Sequence, residues 1–222
     1  MAVRWLLVAT TLIALVVSSA CHGAPQPTPT PTPDPGPRYL PVDRETCERM
    51  PLAEIYARFG LAPLDDPTGN RDTNRVRSRL QCLLNADAVD DAFATHLQHL
   101  QVIGMVLFDV YRDPAEAERK QHLAARSFAD DAPNVMISPA HGWWQRGTFN
   151  RYIRDLGPDG RADLEPIQAL FIHYAVYDHN VLIQMELVAQ GYQGEIPRLA
   201  RFLHRLAGAI LDEAPNHLVL AD

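Results

Sequence analysis

The sequence predicts an α+β domain in which two or three helices pack on a curved antiparallel sheet that carries one intradomain disulfide. Two apolar segments, residues 169–177 and 181–189, are joined by a short polar turn and are typical of a β-hairpin. Residues 100–111 are rich in Val, Ile, Leu and Phe, which indicates a buried strand. Between residues 196 and 211 the apolar side chains instead recur at helical spacing, which predicts a terminal helix across the sheet.

The first elements of the domain follow from local signals. Pro51 begins a short helical pattern that Gly60 ends, with four apolar residues on one side: Leu52, Ile55, Tyr56 and Phe59. Residues 61–74 contain prolines and glycine, and they predict a loop. Apolar and polar residues then alternate over residues 76–84, which predicts a strand that ends near Cys82.

A second helix is predicted where Asp113 offers an N-cap, Pro114 the first helical position and Glu116 an acid in the first turn. Ala117, Gln121, Ala124 and Phe128 would share its buried side. Short strands are predicted at residues 135–137 and 143–151 before the hairpin.

Residues 1–20 predict a signal peptide, because Arg4 precedes an apolar run over residues 5–17. At 1.5 Å per residue this run spans roughly 20 Å, less than the ~30 Å of a membrane core. Ser18 and Ala20 suit an ordinary secretory peptidase. The same residues before Cys21 also resemble a bacterial lipobox, in which the cysteine is lipidated and becomes the mature N-terminus, although Ser18 stands where leucine is preferred.

The cysteine count bears on this choice. An exported chain with three cysteines leaves one thiol over. Lipidation of Cys21 would leave Cys47 and Cys82 to form a disulfide, which on the chain-entropy model stabilises the fold by roughly 4 kcal/mol. The alternative is that Cys47 and Cys82 are unpaired and buried.

Residues 21–43 predict a disordered tether between the lipid anchor and a single globular domain at residues 44–222. Eight prolines between His22 and Val42 favour an extended polyproline II spacer, at most roughly 65 Å long. The alternating Thr and Pro residues also resemble O-glycosylated stalks, and an unmodified linker is the alternative.

Composition and motifs exclude several functions. The net charge is −7 and the basic residues are scattered, which argues against nucleic-acid binding. After the signal peptide only Ser78, Ser127 and Ser138 remain, none on a glycine-flanked turn, so no catalytic residue is predicted. No cofactor is predicted either.

Two segments carry residue types that can bind metal ions. His96 and His99, with Asp90 and Asp91 upstream, would share one side of a helix, but they lack the His-Glu-x-x-His pattern and are interpreted as surface histidines. The acidic segment 155–165 lacks EF-hand spacing and is interpreted as a solvated turn. The sequence therefore predicts no metal site.

Trp143, Trp144 and Arg146 are the ligand-binding candidates. Adjacent tryptophans on a strand face opposite sides, so one would pack inward while the other could stack on a sugar or an acyl chain. The alternative is that both tryptophans pack in the core or at its rim.

The order of these features resembles a known layout: a signal ending at Cys21, a Pro/Thr tether, Cys47 before a short helix, Cys82 in the following strand, the helix at residues 113–117 and a terminal helix. It resembles secreted actinobacterial lipoproteins that carry a domain of unknown function. It is also similar to the extracellular sensor domain of mycobacterial receptor kinases. The resemblance implies an envelope-anchored binding or sensing module without catalytic residues.

The expected function is therefore non-enzymatic. We expect a lipoprotein held at the outer face of the cytoplasmic membrane by Cys21, or alternatively a secreted protein, which binds an envelope glycan, lipid or protein partner. One alternative is a metal-dependent envelope enzyme that uses His96 and His99. Another is a structural or accessory lipoprotein that assembles with a neighbour.

Overall fold

The computed structural model describes residues 38–66, 68–89, 100–131, 136–156, 167–190 and 196–221. These residues belong to one compact unit, Pro35–Asp222. The predicted signal peptide, Cys21 and most of the predicted tether lie outside the described residues. Within the described ranges, no helix combines the length and the apolar character that crossing a membrane requires.

Helices and strands are segregated along the domain, as in other α+β proteins: two runs of four strands are preceded, separated and followed by helices. The helices are α1 (Thr46–Arg49), α2 (Leu52–Arg58), α3 (Pro114–Asp131) and α4 (Ile196–Glu213), followed by a 3₁₀ turn at Ala214–His217. The strands are β1 (Leu61–Pro63), β2 (Gly69–Thr73), β3 (Arg77–Ala88), β4 (Gln101–Tyr111), β5 (Met136–Pro139), β6 (Arg146–Leu156), β7 (Ile167–Asp178) and β8 (Val181–Gln190).

All eight strands belong to one antiparallel sheet in the order β1-β3-β4-β8-β7-β6-β5, and β2 pairs with β3 beside β1. The predicted α+β class, the antiparallel sheet and the disulfide are confirmed. Because side chains alternate along a strand, the sheet has two different faces. We call the side that carries Cys82 the disulfide face and the other side the polar face.

The main core lies on the disulfide face. It is covered by α2 and α4, whose apolar residues pack on alternate positions of β3, β4, β7 and β8. The helical spacing in α4 is confirmed, because its buried residues are Leu199, Ala200, Phe202, Leu203, Leu206, Ala207, Ile210 and Leu211. The long amphipathic stripe explains why this helix needs a broad apolar sheet beneath it.

The disulfide joins α1 to β3, the strand next to the edge of the sheet. Cys47 and Cys82 are bonded, with their Cα atoms 5.5 Å apart, and both are fully buried. Gly69 of β2 lies against them, since a Cβ there would come within 2.8 Å of the Cys47 sulfur. The pairing predicted from the cysteine count is thus present, and only a glycine fits beside it.

Two predictions for the first strands are wrong. Residues 61–74 are not a loop, because they contain β1 and β2, and β3 does not end near Cys82 but continues to Ala88. The reason is the pairing: Leu61 lies opposite Ala88, so β3 has a partner along its whole length. Pro63 and Gly69 are tolerated because β1 and β2 form the edge of the sheet, where a strand needs hydrogen bonds on one side only.

The predicted start of α3 and the predicted hairpin are confirmed. Of the predicted buried side of α3, Ala117 and Gln121 are buried and Ala124 is half-buried, whereas the side chain of Phe128 lies outside what the structure describes. The Asp113 carboxylate accepts a hydrogen bond from the Ala115 amide at 3.0 Å, and the helix begins at Pro114. Strands β7 and β8 pair along their length around a two-residue turn at His179 and Asn180, where His179 has a φ of +47°. Polar residues at this turn are needed because positive φ is costly for most other residues.

The chain enters and leaves this domain at the same place. Tyr39 pairs with Leu220 in an isolated β-bridge, and the Ala221 amide donates to the Arg38 carbonyl at 2.6 Å. The Tyr39 amide also donates to the side chain of Asn180 at 2.7 Å. These bonds close the domain and fix where any preceding segment is attached.

Candidate functional site

A row of three polar side chains crosses the middle of the polar face. Asn150 of β6 lies opposite His173 of β7, which lies opposite Glu186 of β8. Directly opposed side chains in an antiparallel sheet have their Cβ atoms about 5 Å apart. We call these three residues the polar row.

Asn150 is the most unusual member of the polar row. It has no exposed surface, and neither its Oδ1 nor its Nδ2 has a hydrogen-bond partner among the described residues. A buried amide without partners costs about 1–3 kcal/mol of stability for each unsatisfied group. Native proteins keep few such groups, so each one requires a structural or functional explanation.

His173 is 3% exposed, and burial lowers the pKa of its imidazole to about 3. Desolvation disfavours the charged ring, so His173 is neutral at physiological pH. A neutral imidazole carries both a donor and an acceptor nitrogen.

Glu186 completes the row at a half-buried position. Burial raises the pKa of its carboxyl above the ordinary value for glutamate. Since its other cross-strand neighbour is Met105 of β4, no positive side chain lies beside it in this row. The carboxyl therefore favours a neutral or positively charged partner over an anion.

The two flanks of the row differ in chemistry. On one side α3 brings Gln121, whose Nε2 donates to the Ala175 carbonyl at 3.3 Å and to the Thr148 hydroxyl at 3.4 Å. The Oε1 of Gln121 is buried and has no partner within the described part of the chain. On the other side Tyr152 and Phe171 stack at 4.7 Å, forming an aromatic wall.

The arrangement is suited to hydrogen bonding rather than to covalent chemistry. The polar row offers amide, imidazole and carboxyl groups but no hydroxyl or thiol nucleophile. The ranges that the structure describes contain no cluster of three or more His, Cys, Asp or Glu residues able to hold a metal ion. What the row can do is bind a polar group that pairs with Asn150 and Glu186.

The two tryptophans lie in a bend before β6 and not on a strand, so the expectation that they alternate between two faces is wrong. The Trp143 indole N–H donates to the Leu211 carbonyl of α4 at 2.9 Å, and the Trp144 N–H donates to the Ala140 carbonyl at 2.9 Å. The rings meet edge to face at 5.9 Å. Trp144 is buried and Trp143 half-buried, so both indoles are packed.

Trp144 lies over Gly142, where a Cβ would come within 2.4 Å of the ring, and over Gly147, where it would come within 2.5 Å of the indole nitrogen. Arg146 is directed away from the tryptophans, to the polar face. It contacts Glu118 of α3 at 3.1 Å and His122 at 2.6 Å. The structure therefore does not bring Arg146 together with the two indoles in one site.

The other candidates lie beyond what the structure describes. His96, His99, Asp90 and Asp91 are outside the described residues, as is most of the acidic segment 155–165. The members of the polar row are 23 and 13 residues apart in the chain, and only the strand register aligns them, so no local sequence pattern predicts this row. The one sequence signal for the polar row is the partly polar side of β8.

The fold and the site define an α+β domain that is built on a single antiparallel sheet and carries a buried polar row. Comparison of the chain with protein-family models, with curated proteins and with solved structures found no match.

Proposed function

We propose that this chain is an exported, lipid-anchored binding domain of the cell envelope and that the polar row is its ligand site. Export is supported by the Cys47–Cys82 disulfide, since such bonds persist in oxidising compartments. It is also supported by the predicted signal peptide and by the odd third cysteine at position 21. The Pro-rich segment that follows Cys21 would hold the domain away from the membrane.

The observation that carries the binding proposal is the buried amide of Asn150. Both polar atoms of its side chain lack hydrogen-bond partners in the described structure. In the sheet, Asn150 lies between the neutral His173 of β7 and the edge strand β5. A ligand that offers one donor and one acceptor would satisfy Asn150 at once. The free energy recovered in this way would contribute directly to affinity.

The surroundings select the class of ligand. The carboxyl of Glu186 disfavours anions, and the amides of Asn150 and Gln121 favour neutral groups that both donate and accept hydrogen bonds. Tyr152 and Phe171 provide an apolar wall beside them. Neutral sugars with N-acetyl groups combine these properties, and they agree with the envelope glycan expected from the sequence.

Access to the row requires movement, because Asn150 and His173 are buried. Helix α3 packs on this face and contributes Gln121 one row away from Asn150. The elements that cover the polar row would have to move before a ligand could bind. We therefore expect slower association than at an open site.

Binding can be tested by saturation-transfer NMR with oligomers of N-acetylglucosamine, using glucuronate as an anionic counter-probe. We expect binding of the neutral oligomers that Asn150→Leu weakens at least about tenfold, the loss of roughly one hydrogen bond. Trp143→Phe is the matched control, and it should leave binding unchanged. Equal binding by the Asn150→Leu variant would refute the polar row as the site, and loss of binding in Trp143→Phe alone would assign the site to the tryptophans.

The anchor can be tested separately by intact-mass analysis of the native protein extracted from membranes. We expect acyl chains on Cys21 at a new N-terminus and the loss of two hydrogen atoms from the Cys47–Cys82 pair. An uncleaved chain with three free thiols would contradict export.

A further inference from the structure

The outer side of α4 carries a row of basic side chains. Arg198, Arg201 and Arg205 lie at i, i+3 and i+7, so they share one side of the helix, and His204 lies beside them. All four are exposed, whereas the opposite side of the helix is buried in the core. With Phe202 they line an open hollow of about 410 Å³. We call these four residues the arginine face.

His204 is held in a fixed orientation by the core beneath it. The Tyr174 hydroxyl is hydrogen-bonded to Nδ1 of His204, and the ring of Phe149 packs edge-on against the imidazole at 5.1 Å. Burial raises the pKa of Tyr174, so its hydroxyl keeps its proton and donates it to Nδ1. Because Nδ1 accepts this hydrogen bond, the ring N–H is placed on Nε2, which makes that nitrogen a donor.

Two of the three arginines on this surface, Arg201 and Arg205, have no neutralising partner in the described part of the chain. Along α4 the first acidic residue is Asp212, two turns beyond Arg205. A protein of net charge −7 thus presents three arginines and one oriented imidazole donor on a single helix side.

We propose that the arginine face docks on the phosphates of anionic lipid headgroups and so orients the domain on its membrane. This inference rests on the proposed membrane location. Guanidinium groups pair with phosphate oxygens in a bidentate manner, and an overall acidic domain would be repelled elsewhere on such a surface. The segment from His22 to residue 37 would reach roughly 50 Å if fully extended, which is enough to let this helix contact the membrane.

The test uses a chain that begins at His22, which lacks the leader and Cys21 and retains the closed domain. Its co-sedimentation is measured with phosphatidylcholine vesicles with and without phosphatidylglycerol. We expect binding only when phosphatidylglycerol is present, and weaker binding as chloride is added. Each arginine near an anionic surface contributes about fivefold, so Arg201→Gln with Arg205→Gln should reduce partitioning by roughly 25-fold, and Arg201→Glu with Arg205→Glu by more.

The matched control reverses two exposed arginines on the β2–β3 hairpin, Arg71→Glu with Arg75→Glu, which changes the net charge equally. This control should keep most of the binding. Equal losses in the two double-glutamate variants would overturn the proposal, as would the absence of binding to phosphatidylglycerol vesicles. Release by inorganic phosphate, but not by chloride of the same ionic strength, would overturn it in favour of a soluble phosphate ligand. Because Cys21 is absent from this chain, the result is independent of lipidation.

Discussion

His173 and Glu186 lie directly opposite each other on β7 and β8, yet their pKa values move in the directions that burial imposes and not in those that an ion pair imposes. Burial lowers the pKa of His173 and raises that of Glu186. An attractive ion pair would instead raise the pKa of His173 and lower the pKa of Glu186. The two side chains therefore share a poorly solvated place in which the uncharged form of each is favoured.

The stability of the domain should fall in acid because of His173. Its folded pKa of about 3 is below the ordinary 6.5, so the unfolded chain binds the proton first as the pH falls. The contribution is complete above pH 6.5 and is lost towards pH 3, by at most about 1.4 kcal/mol per pH unit. Urea unfolding between pH 3 and pH 7 measures it.

His173→Leu should remove this part of the pH dependence, whereas His141→Leu, at an exposed histidine, should keep it. A slope that is the same in wild type and in His173→Leu would show that His173 is not the group responsible.

Glu186→Gln should stabilise the protein at pH 7 but not at pH 4. The folded pKa of Glu186 is raised, so its contribution is present below the unfolded pKa and is lost as the pH rises through the folded value. The glutamine variant lacks this loss because it has no charge to desolvate. Thermal unfolding at the two pH values gives the comparison, and a variant less stable than wild type at pH 7 alone would indicate a favourable charge at this position.

Asn150→Leu should raise the free energy of unfolding by roughly 1–3 kcal/mol, because it removes two buried polar atoms without partners in a side chain of similar size. Urea unfolding of the unliganded protein is the measurement. A loss of more than about 1 kcal/mol would mean that the amide is already satisfied in the native state. Stabilisation combined with lost ligand binding is the pattern expected of a functional residue.

Replacement of both disulfide cysteines, Cys47→Ala with Cys82→Ala, should destabilise the domain by about 4 kcal/mol. The bond joins residues 35 apart in the chain, and its loss frees that loop in the unfolded state. Urea unfolding of the wild type with and without reductant provides an independent check. If the reduced and oxidised proteins unfold at the same urea concentration, the bond contributes nothing to stability.

Two glycines should respond in opposite ways to alanine. Gly208 lies in α4 with open space where a Cβ would be, so Gly208→Ala should stabilise by about 0.5–1 kcal/mol. Gly104 lies in β4, where a Cβ would come within 2.2 Å of the Glu186 carbonyl oxygen, so Gly104→Ala should destabilise. Melting temperatures of the two variants test this, and changes of the same sign would contradict it.

Much of the fold could be predicted because its signals are local. The cap at Asp113, the apolar stripe of α4 and the hairpin around His179 each depend on neighbours within a few residues. The edge strands β1 and β2 were missed because Pro63 and Gly69 resemble loop residues, and only pairing with β3 makes them strands. The predicted strand position of Trp143 and Trp144 was wrong for a similar reason. Contacts with α4 and with two glycines decide where these side chains lie, and the local sequence pattern does not show such contacts.

The sequence by itself determined the α+β class and the helix that covers the sheet, because residue spacing along the chain encodes periodicity. The count of three cysteines favoured the Cys47–Cys82 pair, and the structure contains it. Only the tertiary structure decided that Asn150, His173 and Glu186 lie side by side. The physical reason is that strand register joins residues that are distant in the chain, and burial then changes their protonation and hydrogen bonding.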